Sequence, residues 1–253
     1  TQSLHVLAIQ TGEAGPIAQA IAGIDIALWD LVARRHELPL WRLLRALAAD
    51  PAAEPETVTA ARTVPVYASG LNPEQPETVA AAKRDEGYLA FKLKVGFEAE
   101  DDLRNLAALR DGLGPEVRLM IDANQAWDLD TAIEMSERLG RFQPFWLEEP
   151  LAADGPDREW RELAQASPVP LAGGENLASD EAFNHALRLG VLEVVQPDIA
   201  KWGGFSCCMP LARRIIGAER LYCPHYLGGG IGLVASAHLL AAAGGEGMLE
   251  VDS

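Results

Sequence analysis

FKLKVG, residues 91–96, sets two lysines one position apart in an otherwise apolar run. In an extended strand residues i and i+2 share a face, so Lys92 and Lys94 point one way and Phe91, Leu93 and Val95 the other. Two like charges side by side raise each other's cost of desolvation and repulsion. For an isolated pair the ordinary reading is a solvent-exposed strand face. Whether it holds here depends on what surrounds the strand.

Outward from that strand, short apolar or β-branched runs recur at 64–69, 90–95, 117–122, 144–149, 169–174, 192–197, 220–225 and 247–252. Stretches of helical composition fill the gaps at 76–86, 99–112, 129–141, 157–166, 179–189, 204–217 and 231–243. Repeated βα units predict a parallel sheet. Eight strands of this kind predict an α/β fold, a TIM-like (β/α)7β barrel with its helices outside. An open doubly wound sheet competes, but it wants a glycine-rich phosphate loop after the first strand, and YASGLNPEQP (67–76) is not one. Upstream, 16–35 and 39–48 read as helices, and 49–62, rich in Ala, Pro and Glu, as a linker. The predicted division is residues 1–62, helices plus linker, and 63–253, the barrel.

The chain has 253 residues, 49% of them hydrophobic, enough for one large α/β domain or two modest ones. Its net charge of −16, from 21 basic and 37 acidic residues, argues against nucleic acid or an anionic membrane as partner, since both need a basic footprint. Cys207, Cys208 and Cys223 form neither a CxxC pair nor a disulfide framework and read as small core residues. No run reads as a membrane span and no signal peptide opens the chain, so a cytoplasmic location is expected.

The predicted strands end in ionisable groups. Lys92 and Lys94 close the second, Asp122 the third, Glu148 the fourth, Glu175 the fifth, Asp198 the sixth, His225 the seventh and Glu250 the eighth. From Lys94 onward the gaps are 28, 26, 27, 23, 27 and 25 residues, each about one βα unit. A barrel would bring them to one mouth, where such barrels keep their active sites. Singly, each has a plain explanation: a turn aspartate, a surface glutamate, a structural histidine. Together they are costly to maintain, because buried charges need partners. Asp122, Glu148 and Glu175 offer carboxylates that suit a hard cation such as Mg²⁺, and the lack of histidine among them disfavours zinc. Such a cation, its carboxylates and an anionic substrate would offset the two lysines. Crowding can also keep one lysine neutral and usable as a base.

FKLKVG, IDANQAW, WLEEP, GGEN, QPDIAKWGG and CPHY, in that order over a span from about residue 16 to the end, resemble the enolase superfamily and, within it, the mandelate racemase subgroup. The resemblance implies that Lys94 is the proton-abstracting base, tuned by Lys92, which also contacts the substrate carboxylate. It makes Asp122, Glu148 and Glu175 the ligands of Mg²⁺, His225 and Asp198 a dyad, Glu250 a carboxylic acid hydrogen-bonded to an enediolate, and Asn124 a substrate contact. Muconate-cycloisomerase-like members carry a lysine where this chain has Asp198. Here Lys201, expected to bind substrate, falls three residues later, which argues against the cycloisomerase and dipeptide-epimerase branch.

The implied activity is Mg²⁺-dependent removal of the α-proton of a small carboxylate, most often leading to dehydration of an acid sugar, an aldonate or aldarate. Racemisation or epimerisation of a 2-hydroxy acid is the alternative, since lysine and histidine are both available. A catalytically incomplete barrel with a binding role is a further alternative. Only the final helices of the family's N-terminal capping domain are legible, within residues 1–48, and the segment that follows strand eight in the family is absent. The resemblance also implies a homo-oligomer.

Overall fold

A computed structural model of the chain describes residues 14–49 and 63–252. Apart from Ala49, the stretch read as a linker lies outside the described residues. Helix α1 (Ala14–Arg35) leads to α2 (Leu40–Ala49). Strands and helices then alternate: β1 (Val66–Leu71), α3 (Pro76–Asp85), β2 (Ala90–Lys94), α4 (Ala99–Leu113), β3 (Arg118–Asp122), α5 (Leu129–Gly140), β4 (Leu147–Glu148), α6 (Asp157–Ala166), β5 (Leu171–Gly173), α7 (Asp180–Leu189), β6 (Val194–Val195), α8 (Gly204–Gly217), β7 (Leu221–Tyr222), α9 (Gly230–Ala243) and β8 (Leu249–Asp252). The predicted α/β alternation is present throughout. Strands β4, β6 and β7 are only two residues long, shorter than the apolar runs at 144–149, 192–197 and 220–225 suggest. Asp198 and His225 therefore stand on the loops after β6 and β7 rather than on strands.

The chain divides into two compact units. One spans Val66–Asn176, His185–Val195 and the chain from Glu250. Its strands run β6-β5-β4-β3-β2-β1-β8, and the paired neighbours from β1 to β6 are parallel. The apolar faces of its central strands are dry: Phe91, Leu93, Leu119 and Ile121 are fully buried, each contributing about 1.5–3 kcal/mol. Local signals set the helix boundaries. Asp128 accepts from the Thr131 N–H at 2.9 Å and caps α5, an interaction worth about 1 kcal/mol.

The other unit takes its described residues from the chain up to Pro65, Leu177–Asn184 and Gln196–Leu249. There α1 packs on α8 and α2 on α9. α1 stops because Glu37 turns left-handed, at φ 53°. The Leu38 N–H then donates to Ala33 O and the Glu37 N–H to Arg34 O, a Schellman closure followed by Pro39. By length and composition alone α1 could cross a membrane, with a mean hydropathy of 1.4 over an 18-residue window within Gly15–Arg35; the sequence reading did not expect this. Its Asp25, however, is buried against α8. In the same unit the approach to β8 lies against β7. The Met248 N–H donates to Cys223 Sγ at 3.4 Å, and a Cβ at Gly247 would stand 1.7 Å from Tyr222 O. Cys208 and Cys223 are buried and Cys207 is partly so; all three are free thiols.

Candidate active site

Register places the first group. Lys94 on β2 pairs with Asp122 on β3, which pairs with Glu148 on β4, so three ionisable residues lie in a row across three strands. Lys92 and Lys94 share a face, as expected, but it is not a solvent face. Lys92 is fully buried. Its Nζ lies 2.5 Å from Glu148 Oε1, 2.8 Å from Glu250 Oε1 and 3.5 Å from Asp122 Oδ2, and 5.5 Å from the centre of the Tyr67 ring. Burial works against this ammonium, but Glu148, Glu250, Tyr67 and Asp122 outweigh it and hold the Lys92 pKa well above the ordinary lysine range. Glu148 is steadied from the other side by the Trp146 Nε1–H, which donates to Oε2 at 3.0 Å.

Lys94 differs, because its side chain keeps 22% exposure. Its Nζ donates to Asp122 Oδ2 at 2.6 Å and to Asn124 Oδ1 at 2.8 Å. Asn124, expected at the substrate, thus sits on Lys94, and its own N–H donates to Asp122 Oδ1 at 2.9 Å. Burial pushes the Asp122 pKa up, but the charges of Lys92 and Lys94 and the bonds from Lys94 and Asn124 bring it below the usual carboxylate range.

Glu175 follows β5 by two residues and is only partly buried. Its Oε1 accepts from Asn176 Nδ2 at 3.3 Å. The same Nδ2 donates at 2.8 Å to Glu149 Oε2. The sequence reading passed over Glu149, the second glutamate of WLEEP. It is 1% exposed and stands at φ 38°, a left-handed conformation that costs a side-chain-bearing residue about 1–2 kcal/mol. The Gln125 N–H, itself on a left-handed residue, holds Glu149 O at 2.7 Å. The glutamate doublet before proline was the available signal. Among the described residues, no three His, Cys, Asp or Glu side chains converge as a ready metal cluster; Asp122 and Glu148 are held by the lysines instead.

The second group lies in the other unit. Asp198 and His225 are both 5% exposed, and His225 Nδ1 lies 2.9 Å from Asp198 Oδ2. Facing an acceptor-only carboxylate, Nδ1 carries the proton, which leaves the lone pair on Nε2. Asp198 Oδ1 accepts from the N–H groups of Ala200 at 2.7 Å and Lys201 at 3.0 Å. Lys201 thus contributes its backbone to this turn.

Residues 77–253 match the family described as enolase C-terminal domain-like, and residues 3–45 match the mandelate racemase / muconate lactonizing enzyme N-terminal domain. The chain belongs to the enolase superfamily, mandelate racemase subgroup. A mandelate racemase/muconate lactonizing enzyme from Bordetella bronchiseptica RB50 has a crystal structure 57% identical to this superfamily member, with a TM-score of 0.91, covering 99% of this chain and 66% of that one. D-galactarolactone cycloisomerase of Agrobacterium fabrum is 33% identical over 91% of this chain and 60% of its own length. An L-talarate dehydratase from Polaromonas sp. JS666, crystallised with Mg and L-glucarate, is 29% identical at a TM-score of 0.81, covering 99% of this chain and 67% of that one. The chain spans 52–60% of the length of the first curated relatives it matches.

Proposed function

We propose that this superfamily member removes the α-proton of a small acid-sugar carboxylate in a Mg²⁺-dependent reaction, with Lys94 as the base, and that dehydration is the outcome. The observation that carries the reading is the division between the two lysines. Lys92 is locked by Glu148 and Glu250 at zero exposure, whereas Lys94 keeps an open side. A base must reach the proton it takes, and only the second lysine is open to solvent.

The donor set fits the metal in chemistry. Asp122 and Glu148 end β3 and β4, Glu175 follows β5 by two residues, and the three bring only oxygen, which suits a hard cation. Here the carboxylates outnumber the lysines, so a cation is electrostatically welcome. When bound, Mg²⁺ supplies Lewis-acid polarisation of a carboxylate. Lys92, kept cationic, stabilises negative charge as it moves onto the substrate carboxylate, and Glu250, in its protonated form, donates a hydrogen bond to the enediolate. His225, its Nδ1–H held by Asp198, acts as the imidazolium: its Nε2–H proton goes to the departing β-hydroxyl, which leaves as water, and the ring is left neutral. Asn124 orients Lys94, and Lys201 is assigned to substrate binding.

In this reading residues 63–253 form the (β/α)7β barrel that the resemblance implies. Residues 1–62 are the capping-domain helices with their linker, and the setting is cytoplasmic. A homo-oligomer follows from the resemblance alone.

A second reading has a specific support in the cycloisomerase relative. The same enediolate can expel a ring oxygen instead of a hydroxyl, which gives an isomer rather than water. The lysine missing at position 198 speaks against the muconate-type branch and not against this one. Racemisation at Cα would need His225 to return the proton there. The test is proton NMR of aldonates and aldarates, and of their lactones, incubated in D₂O with Mg²⁺ and the protein. Loss of the α-proton signal with a 2-keto-3-deoxy acid forming from the open-chain acid is expected, and Lys94→Met abolishes both. Conversion of a lactone alone selects cycloisomerisation, and no exchange with any acid overturns the proposal.

A further inference from the structure

The motif QPDIAKWGG ends in two glycines that the proposed chemistry does not use. Both are left-handed, Gly203 at φ 81° and Gly204 at φ 56°, where glycine alone carries no steric cost. A Cβ on Gly204 would stand 2.3 Å from Asp25 Oδ1. The second glycine therefore makes room for a carboxylate arriving from α1, 179 residues earlier in the chain.

That carboxylate takes the place of a missing cap. Gly203, at the N-cap of α8, has no side chain to offer, and the first turn of the helix contains no acidic residue. The first N–H groups of a helix need acceptors and favour negative charge. Asp25 Oδ1 accepts from the Ser206 N–H at 3.1 Å. One turn along α1, Trp29 Nε1 donates to Ser206 Oγ at 2.9 Å. A buried carboxylate is expensive unless hydrogen-bonded, so attaching α1 would alone be better served by an apolar side chain.

The start of α8 is also the end of the turn that carries Asp198. The Trp202 N–H donates to Asp198 O at 3.1 Å, and the Cys207 N–H to Gly203 O at 3.2 Å. Cys208 Sγ donates to Trp202 O at 3.2 Å. We propose that Asp25 is a positioning residue: capping α8 from α1, it fixes the turn from Asp198 to Gly204 and with it the bearing of the Asp198 carboxylate on His225. The proposal rests on the catalytic reading of His225, but its test need not.

The Nδ1–H of His225 is followed in ¹⁵N-histidine-labelled protein, assigned by its loss in His225→Gln, and its exchange with solvent is measured without substrate. In Asp25→Ala the exchange is expected to be about five- to tenfold faster, the range that losing one cap hydrogen bond produces. Asp25→Asn keeps an acceptor but no charge at the helix start and is expected to fall in between. In turnover, Asp25→Ala lowers kcat and leaves KM unchanged. An Nδ1–H exchange rate equal to that of the unsubstituted protein in Asp25→Ala overturns the proposal, as does the same result in Asp25→Asn if the alanine variant does not fold. A protein without turnover, in which the Nδ1–H still responds to Asp25, sinks the catalytic reading and leaves the positioning intact.

Discussion

Lys92 and His225 are both buried, and the chain holds them by different means. Around Lys92 charge answers charge: an ammonium at zero exposure meets Glu148, Glu250 and Asp122 within 3.5 Å. Strand register sets that geometry, and little can move without exposing a charge to an apolar interior. Around His225 the backbone does the holding. Two N–H groups orient the Asp198 carboxylate, and one oxygen is left to orient the ring. In the first region the groups that define the chemistry also support the fold. In the second, chemistry and fold are separable.

The largest effect should come from breaking the first arrangement. Lys92→Met leaves Glu148 and Glu250 buried without their counter-ion, and loss of one partner of a buried pair costs about 3–5 kcal/mol. Urea unfolding should show it directly. Lys94→Met, on the open side of the same face, is expected to cost about 1.5–3 kcal/mol, the worth of a hydrogen bond to a charged group, while α-proton exchange falls by about 10²–10⁴-fold. Equal destabilisation by the two substitutions would show that the lysines do not differ in the way the proposed function requires.

The second region predicts the opposite balance. In Asp198→Asn the side-chain oxygen still accepts from Ala200 and Lys201, so the turn survives and stability changes by less than about 1 kcal/mol. The charge that orients His225 is lost, and the step that needs its proton slows by about 10²–10³-fold. Exchange of the α-proton, assigned to Lys94, persists. Deuterium uptake without the dehydrated product, seen by NMR in this variant, is the expected signature; loss of both together would merge the two roles.

Much of this was legible in the sequence, because a βα unit repeats at near-constant length and each predicted strand from the second onward ends in an ionisable group. The run FKLKVG gave the lysine face, and the spacing from Lys94 to Glu250 gave the order of the groups. The partners of Lys92 were not legible, since Glu250 reaches it from β8, far along the sequence, through sheet neighbours that periodicity does not encode. Strand lengths at β4, β6 and β7 were overestimated, because an apolar run reads alike whether its backbone pairs or merely lies buried. Glu149 was passed over because strand alternation turns only one of two adjacent residues inward, whereas here both glutamates are buried. Asp25 was invisible for a simpler reason: its partner, Ser206, is 181 residues away, and a cap supplied from another helix leaves no local pattern.

The smallest effect concerns a half-buried ionisable group, held by keeping it uncharged. The N–H of Trp41, in the first turn of α2, donates to His238 Nδ1 on α9 at 3.3 Å. An imidazolium would turn that acceptor into a donor and set a positive charge at a helix start, where the dipole disfavours it. Burial lowers the His238 pKa below the ordinary histidine value, with Asp30 acting the other way. The unfolded chain therefore binds a proton at a higher pH than the folded one. The contribution of this contact is complete above the unfolded value and is lost as pH falls through it toward the folded one. Urea midpoints measured at about pH 7.5 and about pH 5, on either side of the unperturbed histidine value, should drop further in the unsubstituted protein than in His238→Asn, whose amide oxygen accepts the Trp41 N–H at either pH. An equal drop in both would mean that neutrality at position 238 contributes nothing.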